Sequence, residues 1–208
     1  MKKIFVAALI VSAACASGPR PREFDLTPDG FRTEGADWSL DPVESNKLMP
    51  DGWERVPGTY EDATVVGVRF KRIHLDGDAW LFAWKLHGDD QRKNLKALSE
   101  RGLTEFRLGS GQLLFGTVEP AKAVLVDGAE AQEGLYEMRR RDDYTPITRV
   151  YAAFAKSLGN DTFAQVFYAS PPGQFDEGLE AARSLMRRLH FSVPAHEAPA
   201  AASRGAQR

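Results

Sequence analysis

The clearest hydrophobic pattern lies in the last third of the chain. Two runs with strand character, residues 149–156 and 163–169, flank Leu158-Gly159-Asn160-Asp161, whose residue types are typical of a tight turn. They predict an antiparallel hairpin with Ser157 opposite Thr162. In that register both faces of the hairpin are largely apolar, so we expect other parts of the chain to cover it on both sides.

After Pro171-Pro172-Gly173 the apolar residues recur with a period of about 3.6, which predicts an amphipathic helix. Its acidic residues come early and its basic residues late, as the helix macrodipole prefers. We expect this helix to be a main cover of the sheet, so that an aspartate at Phe175 or Leu185 destabilises the fold. The predicted apolar stripe consists of Phe175, Leu179, Ala182, Leu185, Met186 and Leu189.

A second hairpin is predicted between residues 64 and 87, but the alternation of its two strands does not match across a short turn. A two-residue turn at Asp76-Gly77 would place Trp84 on the opposite face from Phe70. The pattern therefore predicts either a three-residue loop at this place or a β-bulge near Lys71-Arg72.

The middle of the chain predicts one more helix and several strands. Asp89-Asp90 are expected to cap a surface helix from about residue 91 to 101, which ends at Gly102. Strands are expected at about residues 112–118, 122–127 and 132–140, separated by Gly116, Pro120 and Gly128. The whole pattern predicts an α+β fold, with an antiparallel β-sheet flanked by helices.

The N-terminus has the pattern of an export signal. Met1-Lys2-Lys3 precedes an apolar run over residues 4–14, which is too short to span a membrane stably, and small residues follow it. We therefore predict a signal peptide over residues 1–15. Residues 16–37 are rich in proline and glycine and are expected to form a flexible tether.

Cys15 stands at the point where the signal would be cut. The stretch Val11-Ser12-Ala13-Ala14-Cys15 resembles the lipobox of bacterial lipoproteins, which implies lipidation of Cys15 and a membrane anchor. Since residue 16 is not aspartate, the resemblance implies the outer membrane, with the domain facing the periplasm. Ala14-Cys15-Ala16 also fits ordinary cleavage, which would remove Cys15 and leave a soluble periplasmic or secreted protein.

Composition limits the function classes. The 208 residues carry a formal net charge of −2, which gives no electrostatic case for binding nucleic acid. Cys15 is the sole cysteine, so the predicted domain, residues 38–191, has no disulfide, thiol catalyst or cysteine-based zinc site. Residues 192–208 are alanine-rich with two prolines and are expected to be disordered.

No motif predicts a catalytic, metal or cofactor site. His74, Asp76 and Asp78 have metal-binding side chains, but the stretch is more typical of a hairpin turn. Gly109-Ser110-Gly111 lacks the form of a nucleophile elbow. Arg139-Arg140-Arg141, followed by two aspartates, could dock an acidic partner or form a solvated hairpin tip. An apolar pocket could be lined by Trp38, Trp53, Trp80 and Trp84.

Five stretches of the chain follow a familiar order: residues 126–131, the strand at 148–156, Gly159-Asn160, the strand end at 168–172 and the close of the helix at 189–191. Together they resemble the PsbP-like family, which is named for an extrinsic subunit of photosystem II and includes many exported bacterial proteins. The resemblance implies an α/β/α sandwich, with an antiparallel sheet between helices, and use as a binding or assembly module. It implies no site residue.

Two functional hypotheses remain open from the sequence, with an enzyme as a weaker third. The first is a non-enzymatic, membrane-anchored lipoprotein that docks on another envelope protein. The second is a periplasmic carrier that holds a lipid or other apolar ligand between sheet and helix. A closed core favours docking, whereas an apolar cavity of about 300 Å³ or more favours the carrier.

Overall fold

The computed structural model describes residues 26–27, 30–31, 37–44, 47–56, 65–109, 111 and 113–192. The strands in these residues are β1 (Leu26–Thr27), β2 (Gly30–Phe31), β3 (Trp38–Leu40), β4 (Trp53–Arg55), β5 (Val65–Arg72), β6 (Asp78–Lys85), β7 (Leu114–Val126), β8 (Ala129–Arg139), β9 (Pro146–Lys156), β10 (Thr162–Ser170) and β11 (Leu189–Phe191). The helices are α1 (Asp89–Arg92), α2 (Leu95–Gly109) and α3 (Phe175–Arg187), with a 3₁₀ turn at Pro172–Gln174.

The main sheet has seven antiparallel strands in the order β4-β5-β6-β10-β9-β8-β7. Helix α3 packs on one face and helix α2 on the other, and each face carries its own buried apolar cluster. A smaller antiparallel sheet, β1-β2-β3-β11, adds buried residues to the α3 face. The α+β class and the α/β/α layering predicted from the sequence are confirmed.

The hairpin β9–β10 has the register that the sequence predicts. The Ser157 N–H donates to the Thr162 carbonyl oxygen at 2.9 Å, and Tyr151 lies opposite Tyr168. Both tyrosines are buried on the α3 face, while Phe154 and Phe167 are buried on the α2 face. The expectation that this hairpin is covered on both sides is therefore confirmed.

Helix α3 buries most of the predicted stripe, although Leu179 is only partly buried and Leu189 lies beyond the end of the helix. Phe175, Ala182, Leu185 and Met186 are buried on the helix. Leu189, in contrast, belongs to strand β11, because the helix ends at Arg187 and the chain turns to pair with β3. The prediction that Leu189 is helical was wrong, although its side chain is buried in the same cluster.

The connection between β5 and β6 differs from both predicted alternatives. Strand β5 ends at Arg72, whose N–H donates to the Gly77 carbonyl oxygen, and Arg69 pairs opposite Trp80 without a bulge. The prediction assumed that the large apolar residues of both strands share a face. Instead, Phe70 is buried on the α3 face and Trp80 on the α2 face, because both faces of the sheet are covered.

Helix α2 continues seven residues past Gly102, so the predicted end was wrong. The side-chain oxygen of Asn94, rather than Asp89-Asp90, accepts an N–H of its first turn at 2.9 Å. A Cβ on Gly102 would lie 2.8 Å from Cε1 of Phe154 and 2.9 Å from Oε1 of Gln165. Glycine is therefore needed here for close approach of the helix to the sheet, and the helix covers the second face.

Strand β7 is continuous where the sequence predicted two strands. Pro120 is accommodated because β7 is an edge strand, and the pairing with β8 shifts register on both sides of Glu119. Asp127 and Gly128, with φ of 49° and 74°, then form a two-residue hairpin turn that leads to β8.

The signal peptide, Cys15 and nearly all of the predicted tail lie outside the described residues. Within the predicted tether, β1 pairs with β2, and Phe31 of β2 lies opposite Leu40 of β3. Among the helices that the structure describes, none has the length and apolarity needed to cross a bilayer.

Candidate functional site

The described part of the domain has a closed core. A cleft between α2 and the β6–β10 pair, lined by Trp84, Gly102 and Phe163, holds about 10 Å³, which is about enough for one water molecule. A second cleft, beside Tyr151 and Arg183 under α3, has no room for water. Pockets for small ligands usually measure roughly 300 Å³ or more. Neither cleft therefore has the volume of a carrier's cavity.

The space under α2 is filled by stacked aromatic rings. Phe106 of the helix stacks on Phe167 of the sheet with ring centroids 4.6 Å apart, and Phe115 stacks on Tyr136 at 5.2 Å. Trp84 meets Phe163 edge to face at 5.0 Å. Such pairs stabilise the layer beyond the area that they bury.

The four tryptophans do not line a common pocket. Trp80 and Trp84 lie in the aromatic layer under α2. Trp38 is buried on the α3 face, where Trp53 packs against Tyr168 with ring centroids 5.8 Å apart. The seven-stranded sheet separates the two pairs, so the predicted pocket is not formed.

A polar network lies beside the core under α3. The Tyr151 hydroxyl donates to Oε2 of Glu133 at 2.9 Å. Lys122 and Arg183 lie 3.6 and 4.0 Å from the same carboxylate. Burial, together with the charge of Glu133, raises the pKa of Tyr151, so the phenol remains a neutral donor. The network joins β7, β8, β9 and α3, and its members are too far apart in sequence for a motif to reveal it.

A second contact that no sequence pattern predicted holds strand β11 against its neighbours. Nε2 of His190 lies 2.8 Å from Oδ2 of Asp41, and Nδ1 lies 3.3 Å from Oδ1 of Asp127. The other Asp127 oxygen accepts the Phe191 N–H at 2.8 Å. Burial acts to lower the pKa of His190, but hydrogen bonds to Asp127 and Asp41 outweigh it, and the pKa is raised.

The stretch with metal-binding side chains is part of the β5–β6 connection. Asp78 pairs with Arg69 at 3.1 Å, and the Asp76 carbonyl oxygen accepts the Ser170 hydroxyl at 2.6 Å. Within the residues that the structure describes, no three histidine, cysteine, aspartate or glutamate side chains are placed to hold a metal ion.

The chain enters and leaves the domain at one end of the main sheet, here called the terminal end. The Asn160 side-chain amide donates to the carbonyl oxygens of Asp37 and Ser192 at 2.8 and 2.7 Å. The hairpin turn at Asp127-Gly128 lies at this end too, because its carboxylate contacts β11. The terminal end is thus where strand β3 begins and strand β11 ends.

The opposite, distal end carries the β5–β6 and β8–β9 connections. Helix α2 also runs toward it, since Gly102 lies at Phe154 and Phe106 lies farther along the sheet at Phe167. Three large apolar side chains at this end are well exposed: Ile73 (50%), Leu108 (71%) and Tyr144 (62%). They lie on three different elements: the β5–β6 connection, helix α2 and the β8–β9 connection.

Arg139-Arg140-Arg141 lies at the distal end, next to Tyr144. Arg139 donates to the Glu137 carboxylate at 2.6 Å, and Arg140 lies 3.9 Å from Asp143. The arginines thus form the mixed-charge hairpin tip that the sequence allowed. We define the distal surface as Ile73, Leu108, Tyr144 and these arginines.

Comparison with solved structures identifies the architecture. Cyanobacterial PsbP from Synechocystis superposes with a TM-score of 0.53 over 74% of this chain and 86% of that chain, at 13% sequence identity. The fold is PsbP-like. The architecture implied by the sequence resemblance is therefore confirmed, and at this identity the PsbP-like similarity concerns the fold alone.

A second similar structure is LpqN of Mycobacterium tuberculosis, which is described as involved in cell envelope biogenesis. It covers 77% of this chain and 87% of its own, with 12% identity and a TM-score of 0.41. No protein-family model matches the sequence, and no curated protein matches it either.

Proposed function

We propose that this protein is a non-enzymatic docking module of the bacterial cell envelope, held at the membrane by a lipid on Cys15. The closed core is the observation that carries this proposal. Both faces of the PsbP-like sheet are filled by packed side chains, and the cleft beneath α2 holds about 10 Å³. A domain packed in this way offers its outer surface to other molecules rather than an internal chamber.

The proposed anchor limits where the domain works. Ten residues separate Cys15 from Leu26, and an extended chain of that length spans at most about 35 Å. A lipid on Cys15 would therefore keep the terminal end close to the bilayer, which we propose to be the periplasmic side of the outer membrane. The distal end would point away from the lipid.

The distal surface is the proposed contact with another envelope protein. It combines the exposed aliphatic side chains of Ile73 and Leu108 and the exposed ring of Tyr144 with the arginines at 139–141. Aromatic residues and arginine are the types most enriched at the centres of protein interfaces. Exposed apolar side chains that share an end of the domain with paired charges suit a reversible contact better than permanent burial.

The anchor is tested by native mass spectrometry of protein that is gently extracted from membranes of its own cell. We expect an intact mass that includes acyl chains, and we expect a Cys15→Ser variant to lack them. A mature chain that begins at Ser17 would refute the anchor. An additional non-covalent small-molecule mass would favour the carrier hypothesis instead.

The docking surface is tested separately by site-specific photocrosslinking in the same cells. A photoreactive amino acid at Tyr144 should give one discrete protein adduct. The matched control is Leu158, which is 70% exposed but lies at the terminal end. Equal adducts at both positions, or none at Tyr144, would contradict docking through the distal surface whether or not Cys15 is lipidated.

A further inference from the structure

At the terminal end, His190 contacts two aspartates that come from different parts of the chain. His190 lies on β11, the last strand of the described domain, opposite Ser39 of β3. Its ring bridges Asp41, which follows β3, and Asp127, which lies in the β7–β8 turn. One imidazole thus connects the small sheet to the edge hairpin of the main sheet.

Both contacts require a proton on the ring nitrogen involved. A carboxylate can only accept hydrogen bonds, and a neutral imidazole carries one N–H. With Asp41 at 2.8 Å from one nitrogen and Asp127 at 3.3 Å from the other, the neutral ring would turn a lone pair toward one carboxylate. Only the imidazolium form donates to both aspartates and carries the charge that offsets them.

The other charged groups nearby have different partners. Arg188, two residues earlier, donates to the main-chain oxygens of Asp41 and Leu48 rather than to the Asp41 carboxylate. Asp37, at the start of β3, lies 3.3 Å from Lys85. Among the residues that the structure describes, Asp41 and Asp127 are the charged groups in direct contact with the ring, and they favour its protonated form.

We propose that His190 is a pH-operated clasp on the terminal strand. The protonated ring ties β11, and with it the point where the chain leaves the domain, to both Asp41 and Asp127. Loss of the proton breaks one tie and loosens the end of β11. Because β11 pairs with β3, which begins at the same end, the clasp would also control how firmly the domain holds the start of β3.

The direction of the pH effect follows from the contacts. The interaction contributes fully below about pH 6.5, the ordinary value for histidine, where the unfolded chain is protonated as well. It is lost as the pH rises through the raised pKa of His190 in the folded protein. The clasp is therefore closed in mildly acidic solution and open in alkaline solution.

The test combines an NMR titration of the His190 ring with amide hydrogen exchange on the full chain. Protection factors of the Phe191 and Ser192 amides, compared with Val166 in β10, should fall about two- to fivefold between pH 5.5 and 8.5. His190→Gln should remove this change, whereas His87→Gln, at an exposed histidine, should retain it. Persistence of the change in His190→Gln would overturn the clasp.

Two further variants keep the test decisive if His190→Gln perturbs β11. Asp41→Asn and Asp127→Asn each remove one negative charge and leave a side chain of the same size. Each should lower the pKa of His190 relative to the wild-type protein. A wild-type pKa at or below the ordinary value near 6.5, or no fall in either variant, would refute the proposal.

Discussion

The two faces of the main sheet are both closed, but by different means. On the α3 face the helix brings large side chains, including Phe175 and Leu185, and the sheet contributes many alanines together with large side chains such as Tyr168. On the α2 face the helix approaches closely at Gly102, and the sheet contributes rings such as Phe154 and Phe167. Helix α3 therefore buries four apolar side chains of its own, whereas helix α2 buries two, Leu95 and Leu98, and leaves most of the apolar volume of its face to the strands.

This difference explains why the buried face of α3 could be predicted from its own sequence and that of α2 could not. An amphipathic stripe appears in a sequence when the helix itself supplies the buried volume, as in α3. Helix α2 supplies few large buried side chains, because aromatic rings of the strands fill the space beneath it. It approaches the sheet most closely at its own Gly102, which faces Phe154 and Gln165. Read in isolation, Gly102 indicates a helix end. In the folded protein it indicates a helix pressed against a sheet.

The largest predicted loss of stability comes from a substitution in the buried core on the α3 face. Leu185→Asp would place a carboxylate in a fully buried apolar position, and we expect a loss of about 4 kcal/mol or more in the free energy of unfolding. Urea unfolding followed by circular dichroism measures it. The control, Leu108→Asp on the exposed side of α2, should change stability by less than about 0.5 kcal/mol. Similar losses in both variants would contradict the assigned burial.

A smaller effect is expected from the α2 face. Gly102→Val would force the helix away from Phe154 and Gln165, at a cost of about 2–3 kcal/mol. Thr104→Val adds the same side chain to a solvent-facing position of the same helix and should stay within about 0.5 kcal/mol. If both valines cost the same, close approach of the helix to the sheet at Gly102 would not explain the result.

The smallest predicted effect concerns the polar network under α3. Tyr151→Phe removes the hydroxyl that donates to Glu133, and we expect a loss of about 1–2 kcal/mol. Tyr144→Phe, at an exposed tyrosine, serves as the control and should be nearly neutral in thermal unfolding. If Tyr151→Phe has the same unfolding free energy as the wild-type protein, the contacts of Glu133 with Lys122 and Arg183 would be enough to stabilise its carboxylate without the tyrosine hydroxyl.

Sequence reasoning succeeded where neighbouring residues decide the outcome. The β9–β10 turn sets its own register, so Ser157 meets Thr162 as predicted. It failed at the β5–β6 hairpin, because the face of Trp80 depends on what covers the sheet from the other side. Pro120 was likewise read as a break, although an edge strand without a neighbour tolerates proline.

The candidate sites divide in the same way. The arginines at 139–141 were visible as a run, and the structure places them at a hairpin tip. The clusters around Tyr151 and His190 were not visible, because Lys122, Glu133 and Arg183, like Asp41 and Asp127, come from separate parts of the chain. Only the stacking of helix and strands brings them within a few ångströms.

The sequence by itself determined the α+β class, the last hairpin and the amphipathic helix that follows it, because hydrophobic period and turn chemistry act over a few residues. Tertiary structure alone decided which face each tryptophan occupies, that Gly102 lies inside a helix, and that His190 bridges two aspartates. Those outcomes depend on the packing of elements that are distant in the chain, and local patterns do not encode such distances.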